Sequence, residues 1–354
     1  MRAFNLLVKP NGASCNLRCR YCYYLDKSKL YPGVNARMDK AILEEVVKQF
    51  IQGNEAPEVF FYWHGGEPLL CGMHFYRAAV ELQQKYADGK IVNNVLQTNG
   101  TLLNAQWCDF FAKENFWVGI SLDGPPEIHD RFRLDVGARP SFNRVMTGLQ
   151  LLRDHGVEFN VLTTVNKASE GNGERVYRFL KSVGCKYIQL IPVADGTPES
   201  VSPVEYGRFL CNVFDCWKND GDVGRYYVDA IDCALAAWCG SQPGSCVFSP
   251  SCGTNPVVEF NGDVYSCDHF VKPAFFLGNI SSQSLVSMMD SIQQYSFGQN
   301  KRVSLPRKCF SCQFLFACNG GCPRYRQTLC EGYQLFYAHI KPDMDKMRDV
   351  LKRI

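Results

Sequence analysis

Cys15, Cys19 and Cys22 lie in the run Cys15-Asn-Leu-Arg-Cys19-Arg-Tyr-Cys22, directly after a short apolar stretch near the start of the chain. Three thiolates at a C-x3-C-x2-C spacing fall one short of the four cysteines that an iron–sulfur cluster ordinarily takes. One iron of such a cluster stays open to bind something else, which makes it a reactive centre. Zinc is the other common use of clustered thiols, but it prefers four closed ligands in C-x2-C pairs, and no fourth ligand lies near this run. A second group of cysteines begins at Cys246. It continues as Cys252-x9-Gly262-x4-Cys267, then Cys309-x2-Cys312-x5-Cys318-x3-Cys322, then Cys330. Eight thiolates suffice for two four-cysteine clusters. Zinc ribbons are the competing use, since C-x2-C pairs also serve zinc. The other seven cysteines, Cys71, Cys108, Cys185, Cys211, Cys216, Cys233 and Cys239, have no ligand spacing and read as small buried hydrophobes.

The chain has 354 residues, enough for a large α/β domain plus a smaller one. Its net charge of +3, with both signs mixed along the sequence, leaves no footprint for nucleic acid or a membrane surface. Met1 to Lys9 has no long apolar core and no cleavage site, and no later stretch reaches membrane-spanning length, so the expected location is the cytoplasm. In a reducing compartment eighteen cysteines point to metal sites instead of disulfides, and exposed clusters imply low oxygen.

Positioning these ligands requires regular elements, and the first two-thirds of the chain alternates between two periodicities. Strand-like runs are Asn5 to Val8, Val59 to Trp63, Val92 to Gln97, Trp117 to Ser121, Glu158 to Thr164 and Tyr187 to Ile191. Helical periodicity falls between them, over Asp39 to Gln52 with Asp39 as N-cap, Gly72 to Tyr86, Asn104 to Lys113, Ser141 to His155 and Gly173 to Val183, and resumes over Pro203 to Trp217. Repeated βα units with apolar strands imply a parallel sheet covered by helices. Six units are too few to close an eight-unit barrel, so the expected fold is α/β, a partial (β/α)6 TIM-like barrel. Past about Tyr226 the alternation stops and Gly, Pro, Ser and Cys become dense. The expected domains are therefore 1–225, the barrel, and 226–354, a cysteine-rich domain with a C-terminal helix.

The triad spacing resembles the radical S-adenosylmethionine (SAM) superfamily, in which the open iron binds the amino and carboxylate groups of SAM and cleaves it to a 5'-deoxyadenosyl radical. Tyr21, before the third cysteine, also fits that superfamily. Ligands of parallel α/β sheets sit at the carboxyl ends of the strands, and the loops there strengthen the resemblance. The second strand ends in His64-Gly65-Gly66-Glu67-Pro68, the third in Gln97-Thr98-Asn99-Gly100, the fourth in Ser121-Leu122-Asp123-Gly124-Pro125. The resemblance implies that Gly65, Gly66 and Glu67 meet the SAM amino group, the glycines letting backbone carbonyls approach closely. Gln97, Asn99 and Ser121 would lie near the ribose and carboxylate, with Arg133 pairing the carboxylate.

The later cysteines resemble the SPASM extension of peptide-modifying radical SAM enzymes. That family's arrangement implies one auxiliary cluster on Cys246, Cys252, Cys267 and Cys322 and another on Cys309, Cys312, Cys318 and Cys330. Taken whole, from about Leu6 to past Cys330, the chain resembles the anaerobic sulfatase-maturating enzymes. Further shared elements are Tyr23-Tyr24, Val264-Tyr-Ser-Cys267-Asp268 and Leu277-Gly-Asn-Ile280. Two departures stand out: His64 where glutamine is expected, and a short interval from Cys322 to Cys330.

The resemblance implies oxidation of a cysteine or serine of a sulfatase, within a Cys/Ser-x-Pro-x-Arg segment, to Cα-formylglycine. It further implies three [4Fe-4S] clusters and SAM as cofactors, a small redox protein as electron donor, Asp268 as general base, and Tyr24 shaping the substrate pocket. The competing expectations are a SPASM maturase that forms a thioether or another crosslink in a different peptide, and a non-enzymatic multi-cluster electron carrier. The first barrel strand begins within ten residues of Met1, so no N-terminal peptide-binding domain is expected, and direct recognition of a short motif is the expectation. A pure electron carrier has no use for an open iron.

Overall fold

The short runs rich in branched and aromatic residues fold as strands, and the amphipathic runs between them fold as helices. The computed structural model describes residues 3–32 and 36–353. In chain order it contains β1 (Leu6–Lys9), α1 (Lys40–Gly53), β2 (Glu58–Trp63), α2 (Met73–Tyr86), β3 (Ile91–Thr98), α3 (Ala105–Lys113), β4 (Trp117–Ser121), α4 (Pro126–Phe132), α5 (Phe142–Asp154), β5 (Phe159–Val165), α6 (Gly173–Ser182), β6 (Tyr187–Pro192) and α7 (Pro203–Asn219). Shorter elements follow: β7 (Tyr227–Val228), α8 (Asp229–Trp238), β8 (Val257–Glu259), β9 (Asp263–Tyr265), β10 (Phe276–Asn279), α9 (Leu285–Met289), α10 (Ile292–Val303), α11 (Arg307–Phe310) and α12 (Leu315–Cys318), before the long α13 (Cys330–Leu351).

Side chains set the helix starts. Asp39 accepts from the Ile42 N–H at 2.8 Å, Asn104 from the Trp107 N–H at 3.0 Å and Ser202 from the Glu205 N–H at 3.4 Å. Each such cap stabilises its helix by about 1 kcal/mol. The six expected strands and six expected helices all form, with ends moved by a residue or two. The periodicity does not announce α4. It is short, and its signal is only Pro126 at the first helical position.

The chain divides into two compact units, each gathered from separate stretches: Met1–Ile120 with Arg133–Phe159 and Gly253–Gly298, and Ser121–Phe132 with Asn160–Cys252 and Gln299–Ile354. In the first unit β1, β2, β3 and β4 pair in parallel, with Leu6 opposite Phe61, Val59 opposite Val92 and Val95 opposite Trp117. The other edge of β1 is taken by β8, again parallel, with Leu7 opposite Val257 and Val8 opposite Val258. Strands β9 and β10 then continue antiparallel. Val8, Phe61, Trp63, Val118 and Val257 are wholly buried, as expected of strands covered on both faces. Val257, Tyr265 and Val271 form a small core against Leu7 and Leu30.

In the second unit β5, β6 and β7 are parallel, with Val161 opposite Ile188 and the Tyr187 and Tyr227 rings stacked at 5.1 Å. There α7 packs on α13 with backbone against backbone. A Cβ on Gly332 would stand 2.1 Å from the Pro203 carbonyl oxygen, and one on Gly207 would stand 2.5 Å from that of Gly332. Two glycines facing each other permit this approach. In an exposed helix, alanine for glycine gains about 1 kcal/mol, but forcing atoms into a packed contact costs about 1–3 kcal/mol. Gly332→Ala therefore lowers stability by up to about 2 kcal/mol once the two are summed. Gly244→Ala, where a Cβ meets nothing within 4 Å, leaves it unchanged. Urea denaturation followed by circular dichroism tests the contrast, and equal midpoints for the two variants would refute it.

Candidate active site

The loop that leaves β1 carries Cys15, Cys19 and Cys22, and the loop that leaves β2 lies directly against it. The Gly66 N–H donates to Gly12 O and the Glu67 N–H to Ser14 O, both at 2.8 Å. Asn11 ties the same strands of chain together through its amide, to Ser14 O at 3.0 Å and Glu67 O at 2.7 Å. A Cβ on Gly66 would sit 2.0 Å from Ser14 O, and Gly65 has φ +134°. Both glycines are therefore demanded by the backbone. Glu67 is fully buried, and its carboxylate accepts from the Thr98 hydroxyl at 2.8 Å, the Asn99 N–H at 2.8 Å and the Leu69 N–H at 3.1 Å. Burial pushes this carboxyl up to about 7, against those three donors. The Glu67 side chain thus braces the β2 loop to the β3 loop from inside.

The β3 loop reaches the triad through Asn99, whose amide donates to Asn16 Oδ1 at 2.9 Å and lies 3.7 Å from the Cys15 sulfur. The Leu17 N–H also points at that sulfur, at 3.3 Å. Burial, helped by the charges of Glu67 and Cys22, pushes the Cys15 thiol up to about 11 while these two donors oppose it. Metal coordination removes such a penalty, because a coordinating thiol is deprotonated outright, and N–H donors to cluster sulfurs tune the potential. The triad loop is held from a third side by Arg18 N–H to Leu134 O at 2.7 Å and by a bridge between Leu17 and Asp135. This places the buried Arg133 guanidinium 5.6 Å from the Tyr21 ring centre. Gln97 is half-buried on β3, and Ser121 is buried at the end of β4.

Asp268 follows Cys267 on a short helical turn, and six other side chains of the same unit gather around it. Lys9, the last residue of β1, is 0% exposed, and its Nζ lies 2.5 Å from an Asp268 carboxylate oxygen. The Tyr23 hydroxyl donates to the other oxygen. The Lys9 ammonium also sits 3.9 Å over the Tyr24 ring and 3.4 Å from His64 Nδ1, and the Tyr24 hydroxyl donates to Glu259. Burial alone would raise the Asp268 carboxyl, but Lys9, with His64 and His269, outweighs it and holds the group well below the usual carboxylate range. His64 moves the other way, lowered to about 4 by burial and by Lys9. Its Nδ1 accepts from the Gly65 N–H at 2.7 Å, so the ring proton of the neutral imidazole is on Nε2. Burial pushes Glu259 up to about 7, opposed by Tyr24 and Lys9.

Lys9 and Glu259 were not expected from sequence. The only signal for either is a charge closing an apolar strand, where a buried charge requires a partner. Tyr24, expected beside the substrate, is 2% exposed with its hydroxyl turned toward Glu259.

In the second unit Cys309, Cys312, Cys318 and Cys330 line one pocket together with Lys308, Arg326, Tyr333 and Tyr337. Burial pushes the Cys318 thiol up to about 12, and the neighbouring Cys330, Cys309 and Cys312 add to it. Cys252 is likewise raised to about 11 by burial, with Cys246 and Cys322 adding and Lys301 opposing. Lys301, itself buried, donates to Cys246 O at 2.6 Å and Val247 O at 2.8 Å. Cys267 belongs to the other unit. Thiols crowded enough to repel one another as anions suit a cationic iron–sulfur or zinc centre, since soft thiolates select these metals. Among the described residues, no three His, Cys, Asp or Glu side chains are gathered as a site for a single metal ion. No described helix is long and apolar enough to cross a membrane.

Residues 12–180 match the Radical SAM superfamily model, and residues 246–313 match the Iron-sulfur cluster-binding domain model. The chain is 44% identical to a serine-type anaerobic sulfatase-maturating enzyme of Bacteroides thetaiotaomicron, over 98% of this chain and 91% of that one. It is 32% identical to a cysteine-type enzyme of Clostridium perfringens, over 99% and 100%. The solved structure of native anSMEcpe with bound AdoMet and Cp18Cys peptide superposes with a TM-score of 0.91 at 30% identity, covering 98% of this chain and 99% of that one.

The Glu259 carboxyl stands above its ordinary value of 4.5, so its contribution to stability is full below pH 4.5 and is lost as the pH rises through about 7. Glu259→Gln keeps an acceptor for Tyr24 but does not titrate. The wild-type minus variant difference in melting temperature therefore falls between pH 5 and 8. A difference independent of pH would refute the assignment.

Proposed function

This chain belongs to the anaerobic sulfatase-maturating enzymes, radical SAM proteins with an iron–sulfur extension, and from that premise we propose which of its residues do each part of the work. The enzyme oxidises a serine or cysteine of a sulfatase polypeptide to Cα-formylglycine. When bound, SAM and its cluster supply the 5'-deoxyadenosyl radical that takes a hydrogen atom from the target Cβ, and the auxiliary clusters supply an acceptor for the electron that must follow. Cys15, Cys19 and Cys22 hold the SAM cluster. Cys246, Cys252, Cys267 and Cys322 hold the first auxiliary cluster, and Cys309, Cys312, Cys318 and Cys330 the second. The backbone of Gly65, Gly66 and Glu67 faces the SAM amino group. Gln97, Asn99, Ser121, Arg133 and Tyr21 complete the SAM site.

The target lies in a Cys/Ser-x-Pro-x-Arg segment. Relatives named serine-type share 38–44% identity with this chain and those named cysteine-type 32–34%, which favours serine. A small redox protein feeds the first cluster. Residues 1–225 form the barrel portion and 226–354 the portion that bears the auxiliary clusters, with the C-terminal helix. Eleven cysteines at ligand spacings fit a reducing cytoplasm.

The observation that carries the chemical assignment is the buried Lys9 holding Asp268 in the same compact unit as the triad. The ion pair keeps Asp268 ionised throughout the physiological range, ready to receive the proton that leaves the target's hydroxyl or thiol. A hydroxyl beside a carbon radical is more acidic than an ordinary alcohol, so a weakly basic carboxylate suffices. Tyr23 and Lys9 fix one oxygen each, and His64 and Tyr24 fix Lys9.

Anaerobically reconstituted protein is expected to hold about twelve irons per chain, three four-iron clusters on eleven cysteines. Replacing Cys15, Cys19 and Cys22 together by alanine should remove about a third of the iron and all SAM cleavage. Stoichiometric zinc, or 5'-deoxyadenosine from that variant, would overturn the ligand assignment. Asp268→Asn keeps the iron and still cleaves SAM with a serine-motif peptide, but its formylglycine-to-5'-deoxyadenosine ratio falls by about 100-fold or more, the ordinary effect of losing a positioned base. A wild-type ratio would reduce Asp268 to a neighbour of Cys267, and a new thioether in the peptide would favour a different maturase reaction.

A further inference from the structure

Between Asp290 and Glu331 the chain contains no carboxylate side chain, while Lys301, Arg302, Arg307, Lys308, Arg324 and Arg326 all fall within this stretch. Three of these cations are engaged internally. Lys301 is buried on Cys246 and Val247, Arg324 pairs with Asp195 at 2.7 Å, and Arg326 donates to Gly320 O and Ser304 O. The other three, Arg302, Arg307 and Lys308, are exposed. Two large apolar side chains stand exposed among them, Val303 at 79% and Phe310 at 68%. All five lie in the single segment that joins the end of α10 to α11, and α11 presents Cys309 to the four-cysteine pocket whose wall includes Pro306 and Lys308.

Apolar anchors ringed by charge of one sign are the composition of a transient docking site, in which the ring steers encounter and the anchors supply contact. We propose that the segment Arg302–Phe310 is the docking surface for an acidic one-electron carrier protein that removes the electron released by the reaction. The proposal rests on the reading that Cys309, Cys312, Cys318 and Cys330 hold a cluster. Converting serine to formylglycine removes two hydrogens. One leaves as an atom to the 5'-deoxyadenosyl group; the other leaves as a proton to a base and an electron. That electron requires an oxidised acceptor, and the carrier, reduced by one electron, is that acceptor. Positive charge beside Cys309 selects a carrier with carboxylates around its own redox centre. The attraction is screened over a Debye length of about 8 Å at physiological salt, so the carrier can leave once reduced.

The test uses reconstituted holoenzyme and an oxidised acidic two-cluster ferredoxin as probe, with binding read by isothermal titration calorimetry at low and physiological salt. Arg302→Glu/Arg307→Glu should weaken binding by about tenfold or more at low salt and flatten its salt dependence, and Phe310→Ala should weaken it without changing the salt dependence. Lys113→Glu, a charge reversal in the other unit at an 80% exposed side chain, should leave binding as it was. Equal affinity in the double charge reversal and the wild type, or no binding by wild type at low salt, overturns the docking site. Iron analysis of the same samples separates this from failure of the cluster reading. About eight irons per chain would remove the second auxiliary cluster, whereas about twelve with unchanged affinity would remove only the docking surface.

Discussion

Burying a lysine ammonium costs several kcal/mol even after relaxation, unless anions and acceptors replace the water it loses. Lys9 is in that position, at the end of β1 with no exposure, and its surroundings follow from the requirement. Asp268 provides the counter-charge, Tyr24 its ring face, and His64 a lone pair. Removing any one leaves the others badly matched, so groups drawn from the loops after β1, β2 and β9 are fixed relative to one another by one cation. Burial, helped by the same cation, keeps His64 neutral, and the cation keeps Asp268 ionised against its burial. A single buried charge thus ties the protonation of the site to its geometry.

A second constraint acts on the backbone. The β1 loop and the β2 loop approach so closely that Gly66 has no room for a side chain, and Glu67 then extends the brace to the β3 loop through three hydrogen bonds. Three consecutive strand ends are joined before any ligand is considered. For a site whose reactive species must be shielded and aimed, this preorganisation matters more than the strength of any one contact.

Much of this was legible in the residues. The cysteine spacings, the Gly-Gly-Glu-Pro turn and the six βα units predicted the fold class and the family, because each depends on local sequence. What the sequence hid depends on long-range pairing. Nothing in Val257–Glu259 says that it lies parallel to β1, yet that pairing gathers 253–298 with the first strands in one compact unit. The motif identified Glu67 but not the inward direction of its carboxylate. Strand alternation shows which side a residue faces, not that Lys9 is sealed from water. The sequence places Tyr24 beside the triad, whereas its hydroxyl belongs to Glu259, whose position the β8 pairing fixes.

The parallel pairing of β1 with β8 also has a temporal side. Lys9 and its partner Glu259 are separated by about 250 residues of chain, and ribosomes add roughly 5–20 residues per second. For something like ten to fifty seconds on those rates, the nascent β1 has one edge unpaired, and the cysteine loop that follows it lacks Asp268 and its neighbours. During that interval the three thiols lack the contacts of residues 253–298 that the finished unit provides. The order in which this chain is made therefore exposes the thiols first and supplies their partners last, so the interval is set by the length of chain between β1 and β8.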